Sequence, residues 1–419
     1  LDSKDPQIRR TAITKIREIQ AVQPVIDAGL VPTLISLLDS EDTYLQGEAS
    51  WIVTNIASGT TQQTGLVVEA GAIPKLIGLS TSASEDVSDH AVWALANIVG
   101  DSPGLRDRIE DEGGIDTFLR LVNNAGTTPP KVRRRAVWGV SNYLNSWPEN
   151  NLSIMRVRNL HEAISEDDMK SIIDAIQALC RILDRGVKRS DVIETGVVPR
   201  LVHLLADSSF RGATQKHALK CMGYFVDGDD DDADAVIDAG LLPALLVLIE
   251  AKNQDLRQMA LWNASNIAAG SLSQVYALLD CGLLKLAVGI LMDDLSPTIC
   301  RREACWMVSN LSERVCGDEK IWQAFIEERG AESLSTALLI PDRNTREVAI
   351  SGITSLLKCQ DSEGCQFGAP IFAIIRSSSG PQNLRAIRDS RWFEDDELRT
   401  DCHNLLTHYF PEYSRRARV

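Results

Sequence analysis

Five tryptophans in this 419-residue chain recur in phase with an asparagine four positions later: Trp51 with Asn55, Trp93 with Asn97, Trp138 with Asn142, Trp262 with Asn266 and Trp306 with Asn310. A separation of four puts both side chains on one face of a helix. Asparagine is a mediocre helix former, but its carboxamide donates and accepts at once, so a row of them can pair with both the N–H and the C=O of a peptide laid across it. Neighbouring indole rings form slots for the aliphatic stems of lysine or arginine, with a cation–π term of about 0.5–2 kcal/mol for a well-placed charge. The chemistry is recognition of main chain and long basic side chains together. A single such pair reads as a core aromatic with an incidental asparagine; five in phase do not.

Other residue types capable of chemistry form no constellation. There is no nucleophile elbow, Walker loop, dinucleotide fingerprint or H-E-x-x-H, so neither catalysis nor a cofactor is expected. The run GDDDDADA from Gly228 lacks the sixth-position glycine and twelfth-position glutamate of a calcium loop, and is read as a solvated inter-helix loop that adds negative field. His90, His161, His203, His217, His403 and His408 do not cluster with carboxylates or cysteines at ligand spacing. The nine cysteines are scattered, without a two-residue-spaced pair, and read as small buried hydrophobes in a reducing compartment. Lys131 with Arg133 to Arg135 reads as an exposed basic face.

The elements that must position the ladder are legible from a repeat. DAGLVP around Gly29 recurs as EAGAIP around Gly71, ETGVVP around Gly196, DAGLLP around Gly240 and, weakened, DCGLLK around Gly282, with a step of about 42 residues between neighbours. The glycine frees the backbone to end one helix and the proline suits the first turn of the next. The runs that follow, LISLL, KLIGL, RLVHLL and ALLVLI, are too apolar to stand in water and are buried by stacking on neighbouring repeats. The expected fold is all-α, a right-handed α-solenoid of about ten armadillo repeats. The net charge of -15, from 58 acidic and 43 basic side chains, favours basic partners and disfavours direct nucleic-acid or anionic-membrane binding. No stretch reaches eighteen apolar residues and the first residues lack the sections of a signal peptide, so cytoplasm or nucleus is expected. Leucine at position 1 is read as the sign of a fragment without its N-terminal segment.

These residues resemble the importin-alpha family. Ala91 to Asp107 (AVWALANIVGDSPGLRD) is similar to that family's third armadillo repeat, Trp51 to Thr64 (WIVTNIASGTTQQT) to its second, REACWMVSN to its eighth, and LLTHYFPEY to its end. The resemblance implies a nuclear import adaptor whose inner groove holds lysine- and arginine-rich nuclear localisation signals of cargo in extended conformation. A major site on repeats two to four would comprise Trp51, Asn55, Gly59, Thr64, Trp93, Asn97, Asp101, Trp138 and Asn142. Within it, Asp101, the Gly59 carbonyl and the Thr64 hydroxyl would take the key lysine ammonium, which has three donors. A minor site on repeats six to eight would use Trp262, Asn266, Glu303, Trp306 and Asn310, with Lys220 and Tyr224. Implied partners are importin-beta, through an N-terminal segment not present in this chain, and an export receptor at the C-terminal repeat, with shuttling between cytoplasm and nucleus.

Repeat landmarks imply one domain over 1–412, with repeats near 1–39, 40–81, 82–124, 125–165, 166–207, 208–250, 251–292, 293–340, 341–378 and 379–412, and a basic disordered tail at 413–419. The ladder also departs from the family. Gln177 stands where a tryptophan belongs, Arg181 where a tyrosine is frequent, Tyr224 in place of asparagine and Asn145 where a basic residue is frequent, while Lys220 stands for the family's arginine between the two sites. Three rival readings remain: an armadillo scaffold or adhesion protein, which would favour acidic ligands; an enzyme; and a divergent importin-alpha specialised for one cargo.

Overall fold

The glycines of the repeated phrase all have left-handed backbone in a computed structural model of the chain: φ is 67° at Gly29, 82° at Gly71, 79° at Gly196, 96° at Gly240 and 85° at Gly282. That conformation costs L-residues a Cβ clash which glycine avoids. At Gly71, Gly240 and Gly282 it caps the next helix. Gly113 (83°) and Arg329 (62°) adopt it too, at places where the phrase has faded from the sequence. The structure describes residues 1–419 apart from 2, 20, 125, 146–168, 211, 363–364, 391–395 and 415–419, together with the side chain of 145. His161 and the side chain of Asn145 therefore lie outside the described residues.

Contacts divide the chain into two units, residues 1–200 and 201–419. In the first, long helices α1 (Pro6–Glu18), α2 (Thr43–Ala57), α3 (Glu85–Asp101), α4 (Pro130–Asn145) and α5 (Met169–Asp184) stack in order, each on the next. The second stacks α6 (Ala213–Val226), α7 (Gln254–Ala269), α8 (Thr298–Ser312), α9 (Arg343–Asp361) and α10 (Asp396–Tyr409) in the same way. Shorter aliphatic helices such as Ala72–Leu79 and Leu241–Ile249 back them and bury Leu76 and Leu245 completely. Each buried leucine contributes about 1.5–3 kcal/mol, available only because a neighbouring repeat covers it. No strand occurs among the described residues, and each unit is an all-α solenoid.

Three sequence expectations are corrected. Asp230–Asp238 is a helix and not an open loop: the Asp229 carboxylate accepts from the Asp232 N–H at 3.0 Å, and three aspartates in the first turn complement the positive end of the helix dipole. Cys316 and Cys359 are joined by a disulfide, so the cysteines are not all unpaired packing residues. Tyr413 and Ser414, assigned to a disordered tail, belong to the short helix Pro411–Ser414, and Arg388 donates to the Ser414 carbonyl at 2.9 Å.

Candidate peptide-binding surface

In the first unit the ladder is built by neighbouring long helices. Asn97 on α3 donates from Nδ2 to the carbonyl of Thr54, the residue before Asn55 on α2, at 3.2 Å. Asn142 on α4 donates to the carbonyl of Ala96, the residue before Asn97, at 3.0 Å. A Cβ at Gly100 would come within 3.0 Å of the Asn142 amide, so glycine there lets the two helices approach. One amide hydrogen of each carboxamide is thus committed to the preceding helix. That bond fixes the orientation of each amide on its helix face.

The tryptophans are less open than slots between parallel rings. Trp51 and Trp93 meet edge to face, centroids 5.5 Å apart, and His90 lies 5.0 Å from Trp51. The Arg135 guanidinium sits over the Trp93 ring at 3.6 Å while its Nε lies 3.3 Å from Oδ1 of buried Asp89. Lys131 reaches the same carboxylate at 3.1 Å, and Arg133 is buried. The stretch read as an exposed basic face is therefore corrected in part: Lys131 stays exposed, but Arg133 is buried and Arg135 is turned onto Trp93, where Asp89 on α3 offers a desolvated carboxylate. Trp138 is half-buried on the same helix.

Asp101 ends α3, where a carboxylate opposes the helix dipole. Its Oδ1 accepts from the Thr64 hydroxyl at 3.2 Å, and its Oδ2 has no hydrogen-bond partner. Thr64 is fully buried. Where the sequence reading puts that hydroxyl on the ammonium, the fold puts it on the carboxylate. Gly59 is exposed, and a Cβ there would strike Gln63 Oε1, the partner of Thr60 in a capping box. Beside Trp51, a cavity is lined by Arg17, Glu48, Asn55 and His90. Arg17 pairs with Glu48 at 2.7 Å, while burial pushes the Glu48 carboxyl above the usual carboxylate range and the His90 imidazole below its ordinary value.

The second unit carries the minor-site candidates. Trp262 on α7 and Trp306 on α8 are exposed by 38% and 45%, unusual for large aromatics. Asn310 repeats the ladder bond, donating to the Ser265 carbonyl, again the residue before the previous asparagine, at 2.9 Å. Asn266 Nδ2 is enclosed without a partner. On α6, Lys220 is exposed and Tyr224 half-buried. A Cβ at Gly223 would run into the Trp262 ring, so the indole rests against bare α6 backbone. Glu303 is buried on α8 with Gln258 at 3.4 Å and Arg302 at 3.7 Å; burial raises its pKa. Its carboxylate is engaged between α7 and α8.

Other parts of the scaffold were not picked out from sequence. Arg185 donates to the Leu144 carbonyl at 2.6 Å, and Arg314 to the Ala269 carbonyl at 2.8 Å. Each caps the C-terminal end of the preceding long helix, satisfying orphan carbonyls with a cation at the negative pole. Arg185 lies eight residues after Gln177 and Arg314 eight after Trp306, a shared spacing from the ladder position that was the available signal for these two caps. Gly270, Ser271 and Gln274 reproduce the Gly59, Thr60 and Gln63 cap in the second unit.

Comparison with known proteins agrees with this architecture. The model of the armadillo/beta-catenin-like repeat matches residues 20–58, 60–100 and 229–269. An engineered protein of known crystal structure superposes with a TM-score of 0.73 at 24% identity, over 97% of this chain and 96% of its own, a likeness of fold. Importin subunit alpha-1a of Oryza sativa subsp. japonica is 30% identical across 97% of this chain and 78% of its own length. Importin subunit alpha-4 of Arabidopsis thaliana is 31% identical over 98% and 77%, and importin subunit alpha-8 of the same plant is 27% identical over 98% and 92%. Because the likeness extends through both units and not merely the repeats that match the general armadillo pattern, this chain is a member of the importin-alpha family.

Proposed function

We propose that the chain is a nuclear import adaptor that captures lysine- and arginine-rich nuclear localisation signals along the asparagine ladder and moves between cytoplasm and nucleus with its cargo. The observation that carries this reading is Asp101: a carboxylate oxygen without a partner, held by the Thr64 hydroxyl, one helix end from Asn97. That oxygen is enclosed in the free chain, and an ammonium that displaces its cover would gain a charge-assisted hydrogen bond that none of the described residues supplies. Trp51, Asn55, Gly59, Trp93, Asn97, Trp138 and Asn142 form the rest of the major site in this reading. Trp262, Asn266, Glu303, Trp306 and Asn310, with Lys220 and Tyr224 on α6, form the minor one. Importin-beta, joined through an N-terminal segment, and an export receptor at the last repeat complete the cycle that the family implies.

Arg135 favours one refinement, a member with a narrowed cargo range. Its guanidinium already covers a Trp93 face, so a basic cargo side chain must displace it or avoid that ring. Calorimetric titration with lysine-rich and acidic peptides of equal length tests the whole reading. Binding of the basic peptide, abolished by Asp101→Lys, is the expected result. Binding of the acidic peptide alone would replace the adaptor with a scaffold.

A further inference from the structure

Three cysteines that are remote in sequence converge beyond α8. Cys316 lies in the 3-10 turn Val315–Gly317 that follows α8, Cys359 is buried near the end of α9, and half-buried Cys365 lies three residues before the helix Gly368–Ser377. All three sulfurs are within 4.8 Å of one another. Cys316 and Cys359 are bonded, and the Cys365 thiol points at the Cys316 carbonyl at 3.6 Å. The residues that follow Cys365 are held in place: Phe367 stacks on Trp322 with centroids 5.1 Å apart, and Gly368 lies so close to the Cys359 carbonyl that a Cβ would meet its oxygen at 2.5 Å. A disulfide with a third thiol in contact is an arrangement for exchange, because a thiolate attacks a disulfide sulfur directly and the reaction requires the two to be within reach.

We propose that Cys316, Cys359 and Cys365 form a thiol–disulfide exchange site for small soluble disulfides of the glutathione type, with Cys365 as the thiol that takes the incoming group. From the fully reduced state, the Cys365 thiolate attacks one sulfur of oxidised glutathione, forming a mixed disulfide and releasing one glutathione thiolate. The Cys316 thiolate then attacks the Cys365 sulfur and releases the second. The Cys359 thiolate attacks Cys316, leaving the Cys316–Cys359 bond and returning Cys365 as thiolate. Two protein thiols are oxidised and one glutathione disulfide is reduced to two thiols; the protons lost by the protein thiols are taken up by the departing glutathione and the returned Cys365. The relay lets buried Cys359 be oxidised without meeting the oxidant, and the bond formed ties the turn behind α8 to α9.

The test is a quenched time course. The reduced chain is mixed with oxidised glutathione, trapped with iodoacetamide at intervals and mapped by peptide mass spectrometry. The glutathione adduct should appear first on Cys365 and decay as the Cys316–Cys359 peptide grows. Cys365→Ser should slow that bond at least about tenfold without changing the end state, and Cys359→Ser should accumulate Cys316–Cys365. Circular dichroism establishes that both variants are folded. An unchanged rate in Cys365→Ser, a first adduct on Cys316, or a Cys316–Cys359 pair that stays reduced would overturn the proposal. So would one equivalent of zinc retained by the reduced chain and lost in Cys365→Ser, which would assign the cluster to a metal.

Discussion

Arg135 stands over the indole of Trp93 at 3.6 Å, held from behind by Asp89, so the chain lays one of its own cations on a ring of its ladder. Arg135→Asn should expose that face. A cation–π contact in a half-buried place is worth about 0.5–2 kcal/mol, so lysine-rich peptides should bind about 2- to 30-fold more tightly, measured by fluorescence anisotropy. Weaker binding would mean that Arg135 itself contacts the peptide.

Asp101 couples binding against stability. A carboxylate at the C-terminal end of α3 opposes the helix dipole, so Asp101→Asn should stabilise the free protein by about 0.3–1 kcal/mol in urea denaturation. The same change should weaken a lysine-rich peptide by roughly tenfold or more, through loss of a charge-assisted bond. Thr64→Val should weaken the peptide less, because it removes the orienting hydroxyl and keeps the charge. Equal losses from the two variants would contradict the division of labour.

The part-exposed rings of the second unit, Trp262 and Trp306, test the second site. Trp262→Ala with Trp306→Ala should weaken two-part basic signals by about tenfold and leave single-cluster signals within about twofold. Gly223→Ala, whose methyl would displace the Trp262 ring, should shift tryptophan emission and mimic part of that loss. An identical loss for both kinds of peptide would refute the assignment of Trp262 and Trp306 to a second site.

His90 supplies a pH dependence. Burial lowers its pKa below the ordinary 6.5, so the unfolded chain takes up the proton first as pH falls. The stabilisation is present above pH 6.5 and is lost as pH drops through that value towards the folded pKa. His90→Gln should flatten this part of the profile, read as a smaller fall in urea midpoint between about pH 7.5 and 5.5. An unaltered slope would exclude His90 as its source.

Arg329 is the one described non-glycine residue with left-handed backbone. Its ion pair with Glu332, 3.5 Å and mostly exposed, contributes little. Arg329→Gly should raise stability by about 0.5–1 kcal/mol, less the unfolded-state entropy of the added glycine. A fall in melting temperature would show that the cap depends on the arginine side chain.

The repeat, the helices and the face that carries tryptophan with asparagine were all legible in the chain, since each rests on neighbours a few residues apart. A glycine that must turn left, a proline in a first turn and a spacing of four are local facts of backbone geometry. Gly113 and Arg329 escaped because the same backbone turn is made there under different side chains. What each ladder residue touches was not legible. Arg135 meets Asp89 and Trp93 one repeat away, Thr64 turns its hydroxyl to Asp101 and not outwards, and Cys365 arrives beside Cys316 with Phe367 stacked on Trp322. Those contacts depend on the registry of one helix against the next. A difference of a few ångströms there changes which charges are desolvated and which thiols can react, and no run of adjacent residues encodes that distance.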